Sequence, residues 1–195
     1  METQVSHELF PHVRIVMGMV IGLAMARLLT GIAGLIQHPG RYRVSALHLL
    51  WVGSILIELV LFWWWEFALS RVDRWSFGVF LFLITYAVLL YLLSALLFPD
   101  NISEYGSYED FFLKRRRWFF ALFALTFLFD IIDTLIKGAD YFNALNRDYL
   151  IQVPIGLTLC LVACTSKKRN LQIGIVLLHL AYQAYWISRT FGAPV

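Results

Sequence analysis

The feature that most constrains this chain is a succession of six apolar stretches, at residues 13–36, 46–69, 76–98, 108–137, 149–166 and 171–192. A helix needs roughly 20 apolar residues to cross the hydrocarbon core of a bilayer. The stretches reach or approach that length, the shortest being 149–166, which holds Pro154 near one end. None alternates with the period of a strand, and an open sheet edge cannot survive in lipid. The prediction is therefore an all-α integral membrane bundle of six transmembrane helices, a single transmembrane domain spanning 1–195. The breaks agree with it. Pro39 and Gly40 stop the first helix, Pro99 the third, and Gly138 follows the fourth just past Lys137. Ser107-x-x-Asp110 resembles a capping box, so the fourth helix starts at Tyr108, ahead of the apolar part that begins at Arg117.

Composition removes the soluble alternatives. Hydrophobic residues make up 60% of the chain and charged residues only 15%, whereas soluble domains carry about a quarter charged residues. A net charge of +3 is too small and too scattered for a polyanion partner, so no nucleic acid is expected. The first apolar run is too long for a signal-peptide core, contains Arg27 and lacks a basic segment before it. It reads as a retained span. Cys160 and Cys164, four apart in one apolar run, read as small packing residues.

Orientation follows from the basic residues. Nine of the 16 Lys and Arg lie in connections 1–2, 3–4 and 5–6: Arg41 and Arg43, Lys114 to Arg117, and Lys167 to Arg169. The other face holds Arg14, Arg71, Arg74, Lys137, Arg147 and Arg189. This bias puts the three basic loops in the cytoplasm and both termini outside, in the cell inner (plasma) membrane. Trp63, Trp64, Trp65, Trp75 and Trp118 fall near the span ends, where indole rings anchor. Lys114, Arg115, Arg116 and Arg117 then sit at headgroup level as a topology signal and a candidate anionic-lipid contact on the cytoplasmic face.

Polar residues inside the spans carry the functional signal, because charges in hydrocarbon are costly and must face protein or water. Arg27, Glu58 and Asp130 fall near the middle of three different spans, with Asp133 and His179 somewhat off centre. Gly31 and Gly34 share a face with Arg27, and Gly18 and Gly22 lie roughly opposite, which suggests a first helix packed on both sides at the bundle centre. Arg27 is the natural partner of Glu58. On the fourth helix Thr126, Asp130, Asp133, Thr134 and Lys137 make one polar stripe, with Asp133 and Lys137 paired at i, i+4. That leaves Asp130 without a partner, free to exchange a proton. Gln172, His179 and Gln183 share a face of the sixth helix, and His38 and His48 fall together at the inner surface.

Several activities lack their motifs. There is no mid-membrane lysine for a retinal Schiff base, no arginine repeat of a voltage sensor, no TVGYG filter, and no HExxH, GxSxG or P-loop. His48 and His179 lie at different depths, against a bis-histidine haem. No metal, no cofactor and no catalytic residue are expected, and the chain reads as other than an enzyme.

The segments Gly22-Leu-Ala-x-x-Arg27-Leu-Leu-x-Gly31, Phe62-Trp-Trp, Leu97-Phe-Pro-Asp100, Arg115-Arg-Arg-Trp-Phe-Phe120 and Asp130-x-x-Asp133 together resemble an uncharacterised family of bacterial multi-pass inner-membrane proteins. The resemblance spans residues from about 15 to 137 and implies an inner-membrane location with no established activity. The residues themselves point to a small conduit for protons or cations, channel or carrier. Arg27, Glu58, Asp130, Asp133, His179 and Gln183 would form its pathway. The rival is a non-catalytic sensor, assembly factor or partner subunit whose buried charges are structural. Either would sit in the lipid bilayer, alone or as a homo-oligomer.

Overall fold

A computed structural model describes residues 2–38, 40, 43–72 and 75–191, with the backbone alone given for 2–9, 146–148, 190 and 191. Pro39, Arg41, Arg74 and Gly192, and the side chain of Arg147, which entered the boundary and charge arguments above, lie outside it. Among the described residues the chain is all-helical, with no strand. The helices are α1 (Glu2–Gln37), α2 (Ala46–Trp65), α3 (Phe77–Ala95), α4 (Tyr108–Lys137), α5 (Ala139–Thr165) and α6 (Arg169–Phe191). Five helices are long and apolar enough to cross a membrane. The two parts of α5, Ala139–Leu145 and Tyr149–Thr165, are bent by 75° and make a further span if counted together.

Local chemistry sets the ends. The hydroxyls of Ser45, Ser76 and Ser107 accept from the amides of His48, Val79 and Asp110, opening α2, α3 and α4. Ser107 also donates to the Asp110 carboxylate at 2.9 Å, so the cap expected there is present. Gly138 closes α4 with φ +99°, a conformation costly for any residue with a Cβ. Other boundaries move. Helix α1 begins at Glu2 and runs through Pro11, because a helix satisfies its own backbone on either side of the interface. At about 1.5 Å per residue it is roughly 54 Å long. Helix α2 gives way at Trp65 to a 3₁₀ turn, Glu66–Arg71. Helix α3 ends at Ala95, ahead of Pro99, which disfavours helical backbone in the residue before it.

Helix α2 is the enclosed one and packs against α1, α3, α4 and α6. Helix α1 lies instead at the edge. It packs chiefly on α3 and turns Ile15, Met19, Leu23, Leu29 and Ile36 outward. Its expected central position is thereby corrected. Gly18 and Gly31 do meet neighbours, Trp63 and Phe98, while Gly22 and Gly34 meet nothing. Each glycine face thus has one close contact, but the exposed apolar residues between them leave α1 at the edge.

The core sits in the N-terminal halves of α2 and α4. Trp51, Phe112, Phe119 and Phe120 are almost wholly buried, with ring centroids of Trp51 5.0 Å from Phe119 and 5.3 Å from Phe120. Hydrophobic burial does not favour helix association within lipid, so close packing has to. Edge-to-face aromatic pairs add about 0.5–1.5 kcal/mol each beyond area. These rings close one end of the bundle and leave the polar stripes facing one another beyond them.

Candidate functional site

Past the aromatic core, α2, α4, α5 and α6, with Tyr86 of α3, line a partly open cavity of about 70 Å³. At roughly 10–15 Å³ per water position, it has room for a few waters. Glu58 comes from α2, Asp130 from α4, and His179 and Gln183 from α6. Four of the six pathway residues singled out from the sequence thus line one space.

A hydrogen-bonded chain joins three of them. His179 Nδ1 lies 2.7 Å from the Ser54 hydroxyl. The Gln183 amide donates to the Ser54 carbonyl at 3.0 Å and to Glu58 Oε2 at 2.8 Å. Ser54 sits one turn before Glu58, so a single face of α2 presents both. The Trp51 ring stacks on His179 and the Phe123 ring meets it edge-on, which fixes the imidazole at the aromatic boundary of the cavity. Asp130 faces the same space from one turn beyond Thr126. The Tyr149 hydroxyl approaches Asp130 and Thr134 without direct hydrogen-bond geometry to either.

Toward the far end of the cavity, Lys137 donates to Glu66 Oε1 at 2.9 Å and to the Asp133 carboxylate one turn earlier. All three side chains are buried, at 1–3% exposure. The Asp133–Lys137 pair was legible from its spacing. Glu66 was not, although it continues the Glu58–Phe62 face at a further four residues and could have been found there. Tyr149 and Gln152 were also missed, because no polar stripe on α5 pointed to them. Among the described residues four carboxyl groups, Glu58, Glu66, Asp130 and Asp133, face one ammonium, Lys137.

Arg27 belongs elsewhere. Its guanidinium donates to the Phe98 carbonyl at 2.9 Å and pairs with Asp100, an exposed side chain beyond the end of α3. The expected Arg27–Glu58 pair does not form. Gly31 sets the register, since a Cβ there would collide with the Phe98 ring, and this brings Arg27 level with the end of α3. Its long stem then carries the charge to the surface. Glu58 takes Gln183 instead.

Three smaller expectations also change. His48 is fully buried, bonded through Nε2 to the Leu97 carbonyl at 2.6 Å and stacked on Tyr108, while His38 is exposed, so the two form no pair. Gln172 caps the end of α5, donating to the Ala163 and Ser166 carbonyls at 2.8 Å, and does not reach the cavity. In the basic run, Lys114, Arg115 and Arg117 are exposed, but Arg116 is 4% exposed and donates to the Leu113 carbonyl. Arg116 is thus withdrawn from any lipid headgroup. On the same face Glu109 accepts from Ser45 at 2.8 Å and pairs with Arg169 at 3.1 Å, clasping the starts of α2, α4 and α6.

Among the described residues no cluster of His, Cys, Asp or Glu has a metal-holding arrangement. Comparison of the chain with family models, with curated proteins and with solved structures gives no match, so it is the cavity itself that speaks for function.

Proposed function

We propose that the chain is a six-span inner-membrane protein, with its basic loops cytoplasmic and both termini outside, that carries protons or cations through buried carboxyl groups. The observation behind this reading is that Glu58, Asp130, His179 and Gln183 line one water-sized cavity. Intramembrane acids that face water are the usual elements of proton and cation pathways. Four carboxyl groups beside one lysine favour an accompanying proton or cation, because uncompensated charge is costly away from water. Glu58 and Asp130 are the exchanging acids in this proposal. Gln183 and Ser54 orient Glu58, and Lys137, Glu66 and Asp133 set the charge of the far end. Arg27 has no part in the pathway. The aromatic core blocks the opposite end, which favours a carrier with alternating access over an open channel.

Reconstitution in liposomes with dye-monitored proton and potassium flux tests this reading. Glu58→Gln and Asp130→Asn are each expected to lower flux at least tenfold while the protein still elutes as a folded species. Wild-type flux in Asp130→Asn would remove that residue from the pathway. No flux under either polarity would favour the second reading, a membrane sensor or partner subunit. The buried Lys137–Glu66–Asp133 triad and the Ser45–Glu109–Arg169 clasp suit that alternative.

A further inference from the structure

A second cavity of about 390 Å³ adjoins the first. It is a groove between the C-terminal part of α5 and α6, which touch sparingly. Ile151, Ile155, Leu159, Ile175 and Leu178 give it an apolar wall. Phe123, Phe127, Gln152, His179 and Tyr182 line both spaces, so groove and polar cavity adjoin across these side chains. Ile151, Ile155 and Leu178 are themselves more than half exposed, which leaves the groove open along its side.

The two halves differ in chemistry. The groove offers mainly apolar contact, with Gln152, His179 and the tyrosines Tyr182 and Tyr185 as its polar lining. The cavity offers Glu58 and Asp130 among Trp65, Tyr86, Tyr149 and Trp186. Acids among aromatic faces attract a cation twice, by charge and through the negative ring faces, and aromatic cages of this kind recognise quaternary ammonium groups. Lys137 also borders the cavity, but Glu66 and Asp133 already engage its ammonium. An anionic or neutral head would gain nothing from these acids. A bilayer lipid with a net anionic head would be repelled.

We propose that the site binds an amphiphilic organic cation, its ammonium head in the acidic aromatic cavity and its apolar tail in the groove between α5 and α6. The inference rests on the reading of Glu58 and Asp130 as working acids and names the class of molecule they would take. Side entry through the groove would admit such a molecule from the membrane. Release of one proton from this pair of carboxyl groups to cavity water would then balance its single charge.

Calorimetric titration of the full chain in nanodiscs, with empty nanodiscs subtracted, tests it. The ligands are butyltrimethylammonium, octyltrimethylammonium and octanesulfonate. A methylene moved fully from water into an apolar site tightens binding about fourfold, so partial burial of four more should give at least about tenfold between butyl and octyl. Asp130→Asn is expected to weaken both cations at least tenfold. Leu178→Trp, which fills the groove from an exposed position, should flatten the chain-length dependence. Octanesulfonate should give no saturable heat. Near-UV circular dichroism identifies folded variants. Octanesulfonate binding as tightly as the octyl cation, equal affinity for both chain lengths, or an unchanged series in folded Leu178→Trp would each overturn the proposal. Cation binding without acid-dependent proton flux leaves it standing and removes the conduit. Flux without cation binding does the reverse.

Discussion

Removal of the Lys137 ammonium would leave Glu66 and Asp133 side by side, both almost wholly shielded from solvent. Breaking a buried ion pair by deleting one partner costs about 3–5 kcal/mol, since the remaining charge stays uncompensated. Lys137→Met is therefore expected to lower the thermal midpoint sharply in detergent, read by scanning fluorimetry. Adding Glu66→Gln and Asp133→Asn to Lys137→Met should recover most of the loss, because neutral groups need no counter-charge. An unchanged midpoint in the single variant would show that the triad carries no structural weight. Residue spacing revealed half of this arrangement. Asp133 and Lys137 are four apart on one helix, and their contact follows from helical geometry alone. Glu66 comes from another element, the first residue of the 3₁₀ turn that follows α2, and its arrival depends on how α2 leans on α4. Arg27 shows the opposite failure. Its place in the middle of an apolar run suggested mid-depth, but its depth is set by Gly31 against Phe98, a contact 67 positions apart in sequence.

The tightest joint between elements is where α4 meets α5. A Cβ at Gly156 would collide with the Phe127 ring, so the two helices approach there at glycine distance. Gly156→Leu is expected to force them apart at a cost of about 1–3 kcal/mol, the usual range for overpacking. Phe127→Ala in the same chain should relieve much of that cost. Thermal midpoints of the two single variants and the double variant check the coupling, and additive effects would show that the residues do not share the joint. At this scale the helices of this fold were largely legible, because apolar length and caps are local properties. The caps at Ser45, Ser76 and Ser107 need only a hydroxyl three residues from an amide. The early part of α5 was not legible. Residues 139–148 are too polar to stand out as a membrane segment, yet they are helical and turn by 75° against Tyr149–Thr165. Which helix is central was equally hidden, since α1 and α2 are both apolar and only their contacts tell them apart.

Across the whole molecule, polar and aromatic halves divide the bundle. Glu58, Asp130 and Gln183 occupy one half, and Trp51, Phe112, Phe119 and Phe120 occupy the other, with His179 at the boundary. If the rings are what seals the far side, thinning them should open it. Phe120→Ala is expected to raise proton leak severalfold in liposomes without ligand, and to lower stability by about 3–5 kcal/mol. A folded Phe120→Ala protein that leaks no more than wild type would place the seal elsewhere. The division also bears on voltage. Were the polar half filled with water, little of a membrane potential would fall along it. The potential would drop mainly across the aromatic septum, a few rings thick. A unit charge crossing the full potential gains about 2.3 kcal/mol per 100 mV, and here that work would be concentrated on the short step past Trp51 and His179. Movement at that step would then be felt electrically out of proportion to its length.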